Sequence, residues 1–211
     1  MQIAEAISRN QGAFGLRIED AAIGKLADFY DLVQEDNPIL HLVAPAPVEE
    51  FAVRHILESL TLLEYLPESC AFADVGTGAG LPSIPCLIVR PDLKSVLIEA
   101  KLKKSGFLRN AVAALGIEDR TRVINRQFEE ISVPDVDFVT CRALDKFSQK
   151  LPRLIHWARG RPLRLFGGPN IEAELVKNGV RFTSKLMPGS EQRFLFVCES
   201  AAAPQRIVRT K

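Results

Sequence analysis

The stretch Asp74–Pro82, DVGTGAGLP, constrains the fold of this chain more than any other part of the sequence. It follows a short apolar run, CAFADV, that predicts a strand, and it precedes a second apolar run that predicts a helix starting near Pro82. Its three glycines remove the Cβ atoms that keep a ligand away from the backbone. A helix start also presents free backbone N–H groups. The stretch therefore predicts a strand–loop–helix unit whose loop lies against a ligand.

A carboxylate at the end of the next predicted strand indicates that this ligand contains a nucleoside. Glu99 is placed to accept hydrogen bonds from both hydroxyls of a ribose. A dinucleotide site has the spacing G-x-G-x-x-G, whereas Gly76, Gly78 and Gly80 have the spacing G-x-G-x-G. The Asp74 carboxylate would repel a pyrophosphate and attract the ammonium and sulfonium of S-adenosyl-L-methionine. We therefore expect S-adenosyl-L-methionine as the cofactor; a dinucleotide, or a tight turn that binds no ligand, stays open as an alternative.

The pattern of apolar runs predicts an α/β fold with a helical N-terminal extension. Over residues 68–211 short apolar runs alternate with amphipathic stretches, which is typical of a mostly parallel sheet covered by helices on both faces. The runs GVRFTSKLMP and QRFLFVCES are joined by only PGSE, so the C-terminal strand is expected to be antiparallel. Residues 1–67 show helical periodicity, with one helix expected to end before Pro38 and a second over about residues 48–66.

Composition excludes several other classes of protein. With 47% hydrophobic and 25% charged residues in a chain of 211, the sequence is neither disordered nor fibrous. The net charge of +1 does not indicate a polyanionic partner, although a local basic patch can still bind one. Four scattered cysteines lie in apolar runs and are expected to be buried small hydrophobes, not disulfides or metal ligands. Because no apolar run is long enough to cross a membrane, we expect a cytoplasmic protein with no membrane partner. The scattered cysteines likewise lead us to expect no metal partner.

Several motifs beyond the glycine loop resemble those of one family. The segment from Phe72 to Gly116 is similar to the core of the bacterial small-subunit ribosomal RNA methyltransferase G family, also called glucose-inhibited division protein B. The matching elements are Leu81-Pro82, Pro85, Arg90-Pro91, Glu99, Lys103-Lys104 and Phe107-Leu108. Upstream, RHILESL matches a family helix that has aspartate at the position of Glu58, and downstream VTCRAL supplies Arg142.

This resemblance implies a Rossmann-like methyltransferase that transfers a methyl group from S-adenosyl-L-methionine to N7 of one guanine in 16S rRNA. Its substrate would be the 30S subunit or its precursor, and the enzyme a monomer. The positions carried over for cofactor contact are Gly76, Leu81, Phe128, Glu129 and Arg142. Arg142 is also expected to be the catalytic residue, holding a phosphate or the guanine O6. Guanine N7 carries a free lone pair, so catalysis needs positioning and no general base.

Some positions depart from the family pattern, and other functions stay open. His41-Leu42-Val43 replaces Asn-Leu-Thr, Gln127 replaces an arginine, and a lysine after the fifth strand is replaced by Phe166 or Gly167. His55 is interpreted either as a structural residue or as a substrate contact. The candidate RNA-binding cations are Lys101, Lys103, Lys104, Arg109, Arg153, Arg159, Arg161 and Arg164. The alternatives are a methyltransferase for another substrate, a non-catalytic S-adenosylmethionine-binding module and an NAD-dependent oxidoreductase.

Overall fold

Seven strands form a single sheet in the order β3-β2-β1-β4-β5-β7-β6. The computed structural model describes residues 2–142 and 144–199, so the end of the predicted unit 68–211 lies outside the described residues. The strands are β1 (Ala71–Val75), β2 (Lys94–Ile98), β3 (Thr121–Ile124), β4 (Phe138–Arg142), β5 (Leu163–Gly167), β6 (Thr183–Leu186) and β7 (Phe194–Cys198).

The direction of the strands confirms the expected mixed sheet. β1 pairs in parallel with β2 and β4, β2 with β3, and β4 with β5. β7 runs antiparallel to both β5 and β6, and β6–β7 form the predicted hairpin at the edge of the sheet. The strand order reverses between β1 and β4, which is where open α/β sheets bind ligands, at the carboxyl ends of the strands.

Helices cover the N-terminal region and both faces of the sheet. They are α1 (Ile3–Asn10), α2 (Asp20–Leu40), α3 (Val48–Phe51), α4 (Glu58–Leu60), α5 (Ser83–Val89), α6 (Leu102–Ala114), α7 (Phe147–Trp157) and α8 (Pro169–Lys177). A π-helical stretch, Ala52–Leu57, joins α3 to α4, and a 3₁₀ turn, Thr61–Tyr65, follows. The predicted helix over about residues 48–66 is thus one helical segment of changing pitch, here called the bridging segment (residues 48–65). No helix in the described part of the chain is long and apolar enough to cross a membrane.

The end of α2 corrects one prediction from the sequence. We expected the helix to stop before Pro38, but it continues to Leu40. Pro38 lies in the last turn, where its missing N–H removes only one hydrogen bond of the helix. Asn37 then closes the helix: its backbone carbonyl accepts the His41 N–H (3.0 Å) and its side chain accepts the Val43 N–H (3.0 Å). The chain after α2 is therefore fixed beside the ends of the strands.

Alternating apolar side chains divide the core into two layers. On one face Phe72, Leu97 and Phe138 are buried together with α5, α6 and the N-terminal helices. On the other face Ala73 and Val139 are buried with α7 and α8. Since residues 2–67 and the sheet share one hydrophobic layer, the bridging segment is packed next to the carboxyl ends of the strands. The four cysteines are buried, as predicted.

Candidate functional site

A cleft of about 1090 Å³ opens at the carboxyl ends of β1, β4 and β5. The glycine loop and Glu99 line one side of it. The bridging segment, the end of β4 and the β6–β7 hairpin line the other. Five of the nine predicted site residues line this cleft: Gly76, Gly78, Leu81, Glu99 and Arg142. The site thus lies between the glycine loop on one side and the bridging segment and the β6–β7 hairpin on the other.

The three loop positions require glycine for different structural reasons. All have positive φ: +69° at Gly76, +59° at Gly78 and +87° at Gly80. A Cβ on Gly76 would lie 2.4 Å from Leu144, and one on Gly80 would lie 2.3 Å from Ile84. A Cβ on Gly78 would meet nothing nearer than the Gly76 carbonyl oxygen at 3.9 Å. Protein packing therefore excludes side chains at Gly76 and Gly80, whereas the space beside Gly78 is open to a ligand.

This difference predicts separate effects for two alanine variants. Gly80→Ala should lower the free energy of unfolding by about 2 to 5 kcal/mol, since backbone strain and overpacking against Ile84 add together. Gly78→Ala should lose only about 1 to 3 kcal/mol from strain, and its Cβ projects into the cleft. Thermal unfolding and titration with S-adenosylhomocysteine separate the two effects. Equal loss of stability in both variants, with unchanged ligand affinity in Gly78→Ala, would contradict the assignment.

Asp74 stabilises the loop from beneath. Its side chain is fully buried, and its Oδ2 accepts hydrogen bonds from the Thr77 hydroxyl (2.7 Å) and the Ser83 hydroxyl (2.6 Å). Burial is the main cause that raises the pKa of Asp74 to about 7. Its Oδ1 is buried and has no hydrogen-bond partner among the described residues. Asp74 does not line the cleft, so its attraction for the cationic end of the cofactor acts through the loop and stays a prediction.

Glu99 presents its carboxylate to the cleft in a fixed orientation. It is only 7% exposed, and its Oε2 accepts the Gly78 N–H (3.0 Å) while Oε1 accepts the Lys101 N–H (2.8 Å). Each carboxylate oxygen can accept a further hydrogen bond, so both ribose hydroxyls can still be bound. The open space beside Gly78 and this oriented carboxylate together fit S-adenosyl-L-methionine.

Phe128 and Glu129 do not line the cleft, and neither do Asp74 and Gly80. The Phe128 ring is buried and packs edge-on against Trp157, with ring centroids 5.6 Å apart. Glu129 lines a second cavity, of about 670 Å³, together with Trp157 and other residues of α7. Contact from Phe128 to the cofactor thus depends on its backbone in the turn after β3, and both positions stay predictions.

Arg142 is held on several sides at the end of β4. Its Nη1 donates to the Ser59 hydroxyl (2.9 Å) and its Nη2 donates to the Arg54 carbonyl. Nη2 also lies 3.5 Å from Oε2 of Glu58, and the guanidinium lies 5.5 Å from the centroid of the Phe166 ring. Burial is the main cause that lowers the pKa of Arg142, to about 10, and Glu58 opposes this shift. Arg142 is therefore charged at neutral pH and fixed in the wall of the cleft.

His55 lies in the π-helical stretch and lines the same wall. Its Nδ1 is buried without a hydrogen-bond partner among the described residues, and its ring packs edge-on against Phe51 with centroids 4.9 Å apart. Burial, and then the charges of Arg142 and Arg54, lower the pKa of His55 to about 4. The imidazole is therefore neutral at pH 7.

The lowered pKa of His55 predicts a change of stability with pH. Between about pH 6.5 and pH 4 an unfolded histidine binds a proton that the folded protein does not, so His55 makes the protein less stable as the pH falls through this window. Asp74 acts in the opposite direction, since its folded pKa is raised and its contribution falls as the pH rises towards 7. We expect the free energy of unfolding of His55→Gln, relative to that of wild type, to rise as the pH falls from 7 to 4 in urea unfolding, because the variant lacks the His55 contribution. Parallel profiles for the two proteins would show that His55 is not the group responsible.

The predicted RNA-binding cations separate into two sets. Lys101 and Lys104 line the cleft. In contrast, Arg164 is 8% exposed and donates to the Leu163 and Cys198 carbonyls, and Arg161 donates to the Val136 carbonyl. The prediction that Arg164 binds RNA is therefore wrong, because its side chain is buried against backbone carbonyls, whereas Arg161 is half-buried and stays a prediction.

The end of β5 leaves little space for a side chain at Gly167. A Cβ there would lie 2.5 Å from Ile171, so a lysine at this position would require Ile171 to move. Lys150, on α7, lines the same cleft and contributes a cation there.

Sequence reasoning missed the contribution of the β6–β7 hairpin. Met187, Gln192, Arg193 and Phe194 all line the cleft. No local motif marks these residues, because they reach the site only when the hairpin returns along β5 and contacts the bridging segment.

Solved structures of methyltransferases are similar to this fold. Magnesium protoporphyrin IX methyltransferase from Synechocystis PCC 6803, solved with bound S-adenosylmethionine, is 17% identical with a TM-score of 0.59, covering 87% of this chain and 99% of that one. The tRNA (m1A22) methyltransferase of B. subtilis is 18% identical with a TM-score of 0.55, covering 70% and 67% of the two chains. These likenesses show a Rossmann-like fold, and the cradle at Gly78 and Glu99 fits S-adenosylmethionine.

The sequence identifies the family within this class. The profile of the rRNA small subunit methyltransferase G family matches residues 22–178. A ribosomal RNA small subunit methyltransferase G from Neisseria meningitidis serogroup C (strain 053442) is 37% identical over 143 residues, 68% of this chain and 69% of the relative. That of Sorangium cellulosum is 34% identical over 181 residues, 82% and 75% of the two chains. The chain belongs to the rRNA small subunit methyltransferase G family, as the motifs predicted.

Proposed function

We propose that this enzyme transfers a methyl group from S-adenosyl-L-methionine to N7 of one guanine in 16S rRNA, within the 30S subunit or its precursor. The observation that carries the proposal is the shared cleft: the cofactor cradle at Gly78 and Glu99 faces the wall that holds Arg142. A base that enters the cleft is thus brought between the methyl donor and a fixed, charged guanidinium.

The chemistry requires little beyond this arrangement. S-adenosyl-L-methionine supplies an electrophilic methyl group on sulfonium, and guanine N7 offers a lone pair without a proton to remove. Arg142 can donate to O6 or to a neighbouring phosphate and so orient the base. His55 is neutral and is not needed as a base. Fixing the two reactants in line accounts for catalysis by proximity and orientation.

The cleft also has the charge to hold RNA. Arg54, Lys101, Lys104, Lys150 and Arg193 line it. Cations at these positions can contact phosphates on either side of the target base, which must leave its stack to reach the cleft. We propose that residues 1–67 act as an extension that supplies one wall for the acceptor, since Arg54 and His55 belong to it.

We also propose that the enzyme acts as a monomer, without a metal ion, in the cytoplasm where its rRNA substrate is made. Among residues 2–142 and 144–199 no group of three His, Cys, Asp or Glu side chains could hold a metal ion. Methyl transfer should therefore persist in excess EDTA, and a fall in activity that added Zn²⁺ or Mg²⁺ reverses would contradict this part of the proposal, provided that 30S integrity is controlled.

Purified protein with radiolabelled S-adenosyl-L-methionine tests the acceptor. We expect label in 16S rRNA when 30S subunits from cells lacking the enzyme are the substrate. Label only in a small molecule or a protein would support a different methyltransferase. Tight donor binding with no transfer to any acceptor would support a non-catalytic binding module, and tighter binding of NADH than of S-adenosylhomocysteine would support an oxidoreductase.

A further inference from the structure

One buried carboxylate connects three parts of the wall opposite the glycine loop. Glu58, at the start of α4, is 2% exposed. Its Oε1 accepts a hydrogen bond from Nε of Arg193 (2.7 Å), which directly precedes β7, and its Oε2 lies 3.5 Å from Nη2 of Arg142, at the end of β4. A carboxylate this deeply buried is stable only when it is paired, and here both oxygens have a cationic partner.

The contacts of the two arginines leave donors for a ligand. An arginine carries five N–H donors. Those of Arg142 towards Ser59, Arg54 and Glu58 use three of its five. Arg193 is bound to Glu58 through Nε, so its two Nη groups can still donate, and its side chain is 38% exposed in the cleft. Glu58 thus fixes both guanidiniums and leaves each with N–H donors that have no partner among the described residues.

We propose that Glu58 is a positioning residue for the methyl acceptor, bridging Arg142 and Arg193 so that they act as one fork on a phosphodiester next to the target base. The inference rests on the proposed rRNA substrate, which supplies the anion. Without the carboxylate the two guanidiniums repel each other and lose the shared partner that fixes their positions relative to one another. The charge of Glu58 is therefore needed for the arrangement, beyond its bulk.

A second ion pair in the same interface provides a matched control. Glu64, also in the bridging segment, pairs with Lys185 of β6. It connects the same two parts of the chain as Glu58 and Arg193 do, but neither Glu64 nor Lys185 lines the cleft. If Glu58 only fastened the hairpin to the bridging segment, the removal of either carboxylate would have the same kind of effect.

The test compares Glu58→Gln, Glu58→Asp and Glu64→Gln in the full chain. We expect Glu58→Gln to reduce kcat/KM for 30S methylation by about 10- to 100-fold, the effect of breaking a buried charged pair. Glu58→Asp keeps the charge and should retain more activity than Glu58→Gln. The activity of Glu64→Gln should remain within about twofold of wild type. The Kd for S-adenosylhomocysteine should stay unchanged in all three. The slope of log K against log salt for 16S rRNA binding should fall by about 1 in Glu58→Gln, because the enzyme then neutralises one phosphate fewer.

Three results would overturn the inference. The first is a Glu58→Gln enzyme that loses thermal stability like Glu64→Gln but keeps wild-type kcat/KM. The second is equal activity in Glu58→Gln and Glu58→Asp, and the third is loss of S-adenosylhomocysteine binding, which would mean that the whole cleft collapses. A wild-type enzyme that methylates no rRNA refutes the proposed function instead, and the salt dependence of RNA binding then decides the role of Glu58 alone.

Discussion

Replacing Arg142 with alanine is expected to reduce kcat/KM for 16S rRNA methylation by about 100- to 1000-fold, comparable to removing one preorganised donor from an active site. The physical reason is the fixed position of the guanidinium, which Ser59, Arg54 and Glu58 all hold in the cleft wall. Arg142→Lys should recover little activity. An ammonium has only three N–H donors and lacks the planar fork of a guanidinium, so it cannot keep these three contacts and also bind the substrate. Steady-state kinetics with 30S subunits measure both variants.

Binding of the cofactor and stability of the fold provide the controls for the Arg142 variants. The Kd for S-adenosylhomocysteine should change by less than about tenfold, since Gly78 and Glu99 remain. Glu58 keeps Arg193 as a partner in the variant, so the fold is expected to persist. Activity of Arg142→Ala within about threefold of wild type would show that Arg142 is not the catalytic residue.

Replacing Glu99 with alanine is expected to weaken binding of S-adenosyl-L-methionine by at least about 10- to 100-fold. The carboxylate that accepts the ribose hydroxyls is removed, and hydrogen bonds to a charged group contribute about 1.5 to 3 kcal/mol each. Glu99→Gln should lie between alanine and wild type, because the amide keeps one acceptor oxygen. Isothermal titration with S-adenosylhomocysteine measures the change.

Glu118→Gln is a suitable comparison for Glu99, since Glu118 is an exposed carboxylate after α6 that does not line the cleft. It should bind the ligand like wild type. Unchanged affinity in Glu99→Ala would contradict the assignment of Glu99 to the ribose and would leave the loop glycines as the only support for the cofactor site.

The part of the site that faces the methyl donor could be predicted because its residues lie close together in the sequence. The loop Asp74–Pro82 sits between consecutive elements, and Glu99 follows the very next strand, so chain order alone places them together. The roles within the loop could not be predicted. Only the packing of Leu144 and Ile84 shows that Gly76 and Gly80 are required by the protein, while Gly78 is open to a ligand.

The acceptor side was less predictable because it is assembled from distant parts of the chain. Arg142 could be found by its motif, but its partners come from the bridging segment, and Arg193 comes from a hairpin that pairs with β5. Arg164 shows the reverse error: its charge indicates a surface residue, yet it lies in the interior strand β5 and is buried against backbone carbonyls. Such contacts depend on tertiary packing, which periodicity and spacing do not record.

The most direct test of the central claim is the mapping of N7-methylguanosine in 16S rRNA, by borohydride reduction and aniline cleavage followed by primer extension. RNA from cells that lack this gene is compared with RNA from the same cells carrying either the wild-type gene or Arg142→Ala. We predict one cleavage site that disappears without the gene, returns with wild type and stays absent or strongly reduced with Arg142→Ala. An identical cleavage pattern in all three samples would contradict the assignment of this enzyme to guanine N7 in 16S rRNA.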